Sequence, residues 1–181
     1  MDVMLNWRGR MTFEGVGPSG FTQRLDSDTA AGGDNSGARP MEMIAIGLAG
    51  CTAMDVISIL SKKQQKVADF QVKFHGDRAN EHPKVFTDSV IEYQVYGTNL
   101  DEAALVRAIE LSAEKYCPAQ AMLSKAFPIR LTYKIFDAES KTLLKEGEYL
   151  QKKQVAMRPV FLWIVCADCC VSITAFTCDD G

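Results

Sequence analysis

Histidine is scarce in this sequence, and basic residues are in no surplus over acidic ones. Only two histidines occur in 181 residues, His75 and His82, and neither lies at ligand spacing from a cysteine or from the other histidine. We therefore predict no metal ion and no other cofactor. The net charge of −3 leaves no basic surplus for binding nucleic acid. The N-terminal residues lack the charged and then apolar run of a secretory signal, so a cytoplasmic protein is expected.

Several catalytic patterns are missing as well. The sequence has no Ser-His-Asp arrangement, no glycine-rich phosphate loop and no pair of catalytic carboxylates. Apolar residues make up 47% of the chain and charged residues 24%, which is ordinary for a soluble protein. A chain of 181 residues can bury a core large enough to fold without disulfides or structural metals.

The hydrophobic pattern predicts an α+β fold with mostly antiparallel strand pairing. Residues 69–76 and 88–97 alternate apolar and polar side chains, as strands of a half-buried sheet do, and a polar link between them suits a hairpin. Asn99 is a candidate cap for the helix that follows. Residues 137–149 are polar and compatible with a helix. The predicted order is short strands at 2–7, 11–16 and 21–25, a helix at 40–62, the two alternating strands, helices at about 99–116 and from Pro118, and a last strand at 129–136.

The predicted helix at 40–62 is apolar nearly all the way round. Such a helix is normally buried on most of its faces, which makes it the central helix of the fold. Its 23 residues also approach the length of a membrane span, but Glu42 and Asp55 lie inside it. We therefore expect a buried core helix and no association with a membrane.

Cys51 and Cys117 are the only cysteines in the first 140 residues. Cys51 lies within the long apolar helix, and Cys117 closes a second helical stretch directly before Pro118. Two such thiols can form a structural disulfide, a redox couple or two inert core residues, and a cytoplasmic location disfavours the disulfide. A reactive cysteine needs a lowered pKa, which apolar burial and the Asp55 charge one turn from Cys51 both oppose. The residues alone leave the redox couple and the core residues open.

The cysteine segments and three others together resemble the OsmC/Ohr family, and most closely its YhfA-like branch. The resemblance covers about residues 1–140, which we predict to be one OsmC-like domain. It implies an OsmC-like fold, with a mostly antiparallel sheet around a long buried central helix, and an intertwined homodimer with active sites at its interface. The segments that carry it are Pro-Met-Glu-Met at 40–43, Gly-Cys-Thr-Ala-Met-Asp at 50–55, Asp-Arg at 77–78, His-Pro-Lys-Val-Phe-Thr at 82–87 and Glu-Lys-Tyr-Cys-Pro at 114–118.

The resemblance also implies a chemistry, the thiol-dependent reduction of organic hydroperoxides in oxidative stress defence. Cys51 would be the peroxidatic cysteine, whose thiolate is oxidised to a sulfenic acid. Cys117 would be the resolving cysteine that forms a disulfide with it, and a dithiol or lipoyl protein would reduce that disulfide.

An arginine and a glutamate stand beside the reactive sulfur in the hydroperoxide reductases, and here Glu42 is the candidate for the glutamate. Arg39 and Arg24 are candidates for the arginine because they lie close to it in sequence, and Arg78 matches the YhfA-like pattern itself. Met41 occupies the position that corresponds to that glutamate. Glu42 precedes Cys51 by two and a half turns, so a straight helix would place it on the opposite face from the sulfur. It would reach the site through a bend in the helix or from the partner chain. The alternative function is a non-catalytic dimer that binds a small hydrophobic ligand at its interface.

Residues 141–181 resemble nothing in that family, and we treat them as an atypical cysteine-rich extension. Cys166 and Cys169 form a CxxC motif, which is either redox-active or half of a zinc site, but a second pair of ligands is not evident. Residues 159–176 approach transmembrane length, although Asp168 at their centre would be costly in lipid. The favoured reading is an extension that packs on the dimer or stays disordered. A redox-sensing adaptor that acts through the tail cysteines is a third hypothesis.

Overall fold

The computed structural model describes residues 1–150, which form two β-sheets and three α-helices. A π-helical turn at Ser112–Tyr116 joins the second helix to the third. The strands are β1 (Met4–Trp7), β2 (Phe13–Val16), β3 (Thr22–Leu25), β4 (Val67–Arg78), β5 (Phe86–Gly97), β6 (Ile129–Asp137) and β7 (Leu143–Tyr149). The helices are α1 (Pro40–Lys62), α2 (Glu102–Leu111) and α3 (Pro118–Leu123). The predicted α+β class is confirmed.

The large sheet has the strand order β4-β5-β6-β7, and one of its faces carries the core. β4 and β5 form the predicted antiparallel hairpin, whereas β5 and β6 pair in parallel because α2 and α3 connect them. Ile91, Tyr93 and Val95 alternate along β5 and are almost completely buried. Leu131 and Ile135 of β6 continue the same buried surface under the helices.

The small sheet is an antiparallel meander of β1, β2 and β3. All four residues of β1 are exposed, and Met4, Leu5 and Trp7 each expose more than half of their surface. The single chain therefore leaves apolar surface uncovered on this sheet.

α1 has the predicted bounds and lies centrally, packed against β4, α2 and α3. Its buried residues, Leu48, Thr52, Val56 and Leu60, recur every four positions and so form one stripe along the helix. The expected burial on most faces is not met in the single chain, where Met54 on the outer side is 72% exposed. By length and composition alone α1 could cross a membrane, but the core helix of a soluble protein satisfies the same criterion.

Two local predictions are wrong. Residues 143–149 are a strand rather than a helix, because β7 pairs along β6 from Leu131–Tyr149 to Phe136–Leu143. Asp101, rather than Asn99, caps α2, and its carboxylate accepts a hydrogen bond from the backbone N–H of Ala103 at 3.0 Å. The division at residue 140 stays a prediction, although the described sheet continues past it. The CxxC motif and residues 159–176 lie outside the described residues.

Candidate functional site

Cys51 lies in the middle of α1, where the helix passes over the core. It is half-buried, and the next residue, Thr52, belongs to the buried stripe of the helix and is 0% exposed. Helical backbone on both sides fixes the position of the Cys51 sulfur. The side chain thus stands at the border between the core and the surface of the single chain.

Cys117 reaches the same place through the π-helical turn that follows α2. Its backbone N–H donates to the carbonyl oxygen of Ser112, five residues earlier, at 2.9 Å. Its backbone is extended (φ −77°, ψ 103°), as expected for a residue before proline, and Pro118 begins α3. The Cys117 sulfur caps α3 by accepting from the backbone N–H of Gln120 at 3.3 Å. Single π-helical turns are frequent at functional sites, and here the turn presents the thiol to α1.

The fold brings the two free cysteines close enough for the Cys51 side chain to act on the Cys117 thiol. Burial and the interaction with the Cys51 side chain raise the pKa of Cys117 to about 12, and the charge of Asp55 acts in the same direction. Only the backbone N–H of Gln120 opposes this shift. Cys117, at 2% exposure, therefore keeps its proton at neutral pH. The more accessible thiol is Cys51.

Below the cysteine pair lies a chain of four polar side chains that the sequence did not reveal. The hydroxyl of Thr52 is 2.6 Å from that of Tyr93 and 2.9 Å from that of Ser112. Ser112 in turn donates to the Asp55 carboxylate at 3.0 Å. From the sequence, Asp55 is predicted only to be a charge near Cys51. The contacts of Tyr93 and Ser112 depend on three elements meeting, and no local pattern signals that.

Glu42 and Arg39 are not brought to the cysteine pair within one chain. The Glu42 carboxylate accepts from the backbone N–H of Arg39 at 2.9 Å, which is the contact of a first-turn carboxylate. The Arg39 guanidinium donates to the carbonyl oxygen of Gly37 and to the side chain of Asn35. At 1.5 Å per residue, Glu42 stands about 13 Å along the helix axis from Cys51. Their assigned role stays a prediction that requires a second chain.

Two cavities flank the N-terminal half of α1, with volumes of about 530 and 570 Å³. Met41, Arg78 and Phe86 line both of them, so the cavities adjoin. The first also contacts Ala45 and Ala49 on α1, and neither cavity is lined by Cys51. Their walls are mainly apolar, which suits a hydrophobic ligand. Arg78 is the cation that lines both cavities.

The histidines lie away from the cysteine pair. His75 is on the exposed face of β4, with its Nε2 atom 3.5 Å from an oxygen of Asp77, and His82 lies in the loop of the β4–β5 hairpin. Within residues 1–150, no group of three or more histidine, cysteine, aspartate or glutamate side chains could hold a metal ion.

Comparison with known proteins assigns the family. The family described as OsmC-like protein matches residues 33–132. Protein YhfA of Escherichia coli K12 is 39% identical over 138 residues, which cover 76% of this chain and all of YhfA. The chain belongs to the OsmC-like family.

Solved structures agree with this fold. The crystal structure of a hypothetical protein from Aquifex aeolicus is 30% identical, with a TM-score of 0.67 over 76% of this chain and 97% of that one. An organic hydroperoxide resistance protein, OsmC, from Legionella pneumophila has a TM-score of 0.55 at 16% identity, over 73% of this chain and 94% of that one. At that identity the likeness shows the fold alone.

Proposed function

We propose that this protein is a cytoplasmic thiol peroxidase that reduces organic hydroperoxides in oxidative stress defence. The observation that carries the proposal is that a half-buried Cys51 lies close enough to a buried Cys117 to act on its thiol, and that burial raises the pKa of Cys117. One thiol is accessible to a substrate, and the other is held ready to resolve its oxidised form. Solved structures described as organic hydroperoxide resistance proteins share this fold, which is compatible with the same chemistry.

The reaction needs two thiols and a dithiol reductant. The Cys51 thiolate attacks the distal oxygen of the hydroperoxide, the S–O bond forms, the O–O bond breaks, and the alkoxide takes up a proton and leaves as an alcohol. The sulfur of Cys117 then attacks the resulting sulfenic acid, and hydroxide leaves as water with the Cys117 proton. A dithiol or lipoyl protein restores both thiols by exchange and is itself oxidised to a disulfide.

The proposal includes a homodimer, a state common in OsmC-family proteins. The outer side of α1 carries Gly47, Gly50 and Met54, and a side chain at either glycine would meet nothing within 4 Å in the single chain. Small residues on a helix face let a second helix approach closely, and the exposed Met54 would be buried between the two. Because neither Glu42 nor Arg39 reaches Cys51 within one chain, we assign their contribution to the partner chain.

The first experiment asks whether an organic peroxide joins the two thiols. In the full-length chain with Cys166, Cys169, Cys170 and Cys178 replaced by serine, one equivalent of cumene hydroperoxide should convert Cys51 and Cys117 into one intramolecular disulfide. Peptide mapping by mass spectrometry identifies it, and dihydrolipoamide should reverse it. Cys51 that stays reduced under excess peroxide would rule out the peroxidase.

The two cavities favour a second candidate function, the binding of a small hydrophobic ligand without catalysis. Their combined size and apolar walls can enclose a medium-sized molecule, with Arg78 facing a polar or anionic end. This candidate predicts a co-purified ligand that is detected by mass spectrometry after denaturation. Substituting Phe86 with alanine should reduce the amount recovered, whereas Cys51→Ser should not change it. Equal recovery from the Phe86→Ala protein would place the ligand elsewhere.

A further inference from the structure

The four polar side chains below the cysteine pair form a hydrogen-bond chain with one direction. The Asp55 carboxylate can only accept, so Ser112 gives its single hydroxyl proton to it. Ser112 must then accept from Thr52, and Thr52 from Tyr93. Tyr93 keeps its proton, since burial raises its pKa above the ordinary range. The hydrogen bonds therefore run in one direction, from the Tyr93 hydroxyl to the Asp55 carboxylate, and each of the three hydroxyl protons is donated.

These hydrogen bonds join the elements that carry the two cysteines. Thr52 and Asp55 lie on α1 beside Cys51, Tyr93 lies on β5, and Ser112 begins the π-helical turn. Water does not compete for these bonds, because Tyr93, Thr52 and Ser112 are each 0% exposed. The carbonyl oxygen of Ser112 also accepts from the backbone N–H of Cys117. Ser112 thus contacts α1 through its side chain and Cys117 through its backbone.

The charges around Cys117 come from few groups. α1 contributes Cys51 and Asp55, α3 contributes the backbone N–H of Gln120, and β5 contributes the neutral Tyr93 hydroxyl. Asp55 is the carboxylate among them, and its charge disfavours a thiolate at Cys117. The same residue therefore fixes the π-helical turn by a hydrogen bond and acts on the Cys117 thiol by its charge.

We propose that Asp55 is a positioning residue of the cysteine pair, which acts through Ser112 to hold Cys117 against Cys51 and places a negative charge near the Cys117 thiol. The proposal deepens the proposed function and rests on it for the order of the two steps. The positioning itself can be measured without any peroxide. Cys51 reacts first because it is the accessible thiol, and Cys117 delivers its proton when hydroxide leaves the sulfenic acid.

The test separates the hydrogen bond from the charge. It uses the full-length chain with the four tail cysteines replaced by serine, and Ser112→Ala, Ser112→Thr and Asp55→Asn are introduced into it. Ser112→Ala removes the bond and keeps the charge, so the equilibrium constant for the Cys51–Cys117 disulfide in dithiothreitol buffers should fall about tenfold, as expected for a lost hydrogen bond to a charged group. Ser112→Thr keeps a hydroxyl and should restore the constant to within about twofold of the parent, a tolerance below the worth of one hydrogen bond.

Asp55→Asn is nearly isosteric and can still accept from Ser112, but it removes the charge. In a Cys51→Ser background, the pH profile of Cys117 alkylation by iodoacetamide should shift to lower pH, because the negative charge that opposes the thiolate is gone. Asp69→Asn removes an exposed carboxylate on β4 and serves as the matched control with no shift.

Either of two results would overturn the proposal. One is a disulfide equilibrium in folded Ser112→Ala equal to that of the parent, and the other is an identical alkylation profile for Asp55→Asn and Asp69→Asn. If Ser112→Ala fails to fold, the Asp55→Asn profile decides alone. If both assays give the expected shifts but the protein turns over no peroxide, the peroxidase is rejected and the positioning role stands.

Discussion

Replacing Cys51 with serine is expected to abolish organic hydroperoxide consumption. A serine hydroxyl cannot reduce the O–O bond, and Cys117 is buried, protonated and 2% exposed, so it cannot substitute for Cys51. We expect a loss of at least about 10³-fold, within the range that removal of a catalytic nucleophile causes. Initial rates with cumene hydroperoxide and dihydrolipoamide, followed by a ferrous-ion peroxide assay, measure it.

The Cys117→Ser variant is the matched control for this result. It retains Cys51 and should consume one equivalent of peroxide, then stall as a sulfenic acid that dimedone labels at Cys51. The contrast between no turnover and a single turnover identifies which thiol attacks the peroxide. Steady turnover by the Cys51→Ser protein would contradict the assignment of the peroxidatic cysteine.

Introducing a charge at Met54 is expected to halve the molecular mass in solution. Met54 is 72% exposed and lies on the side of α1 opposite to its buried stripe, where we propose that a second chain packs. A carboxylate buried in an apolar interface without a partner costs several kcal/mol or more, enough to dissociate an ordinary dimer. The parent should behave as a dimer of about 40 kDa, twice the chain mass of 20.0 kDa, and Met54→Glu as a monomer.

Light scattering coupled to size-exclusion chromatography measures this mass directly. Leu144→Glu is the matched control, because Leu144 is 55% exposed on β7, at the opposite edge of the large sheet from β4. That variant should remain dimeric. A parent protein that elutes as a monomer at micromolar concentration would disprove the dimer. It would also remove the partner chain through which we propose that Glu42 and Arg39 reach Cys51.

Strongly periodic segments of the sequence were sufficient to predict most elements of the fold. The bounds of α1 and the inward face of β5 follow from local patterns, because burial of alternate or helically spaced side chains leaves a trace in the sequence. The hydrophobic pattern was weaker at residues 143–149, whose composition does not distinguish a largely exposed edge strand from a helix. Pairing along β6 decided that segment, and such pairing is a non-local contact.

The sequence by itself determined the central helix, the α+β class and, through the segments around Cys51 and Cys117, the family. Only the tertiary structure decided that these two thiols come close together, that Cys117 is the buried one, and that Ser112 donates to Asp55. The reason is physical, since burial and the packing of α1, β5 and the π-helical turn set these contacts. Residues far apart in sequence meet there, and the local hydrophobic pattern of a segment does not show which side chains will be hydrogen-bonded to each other.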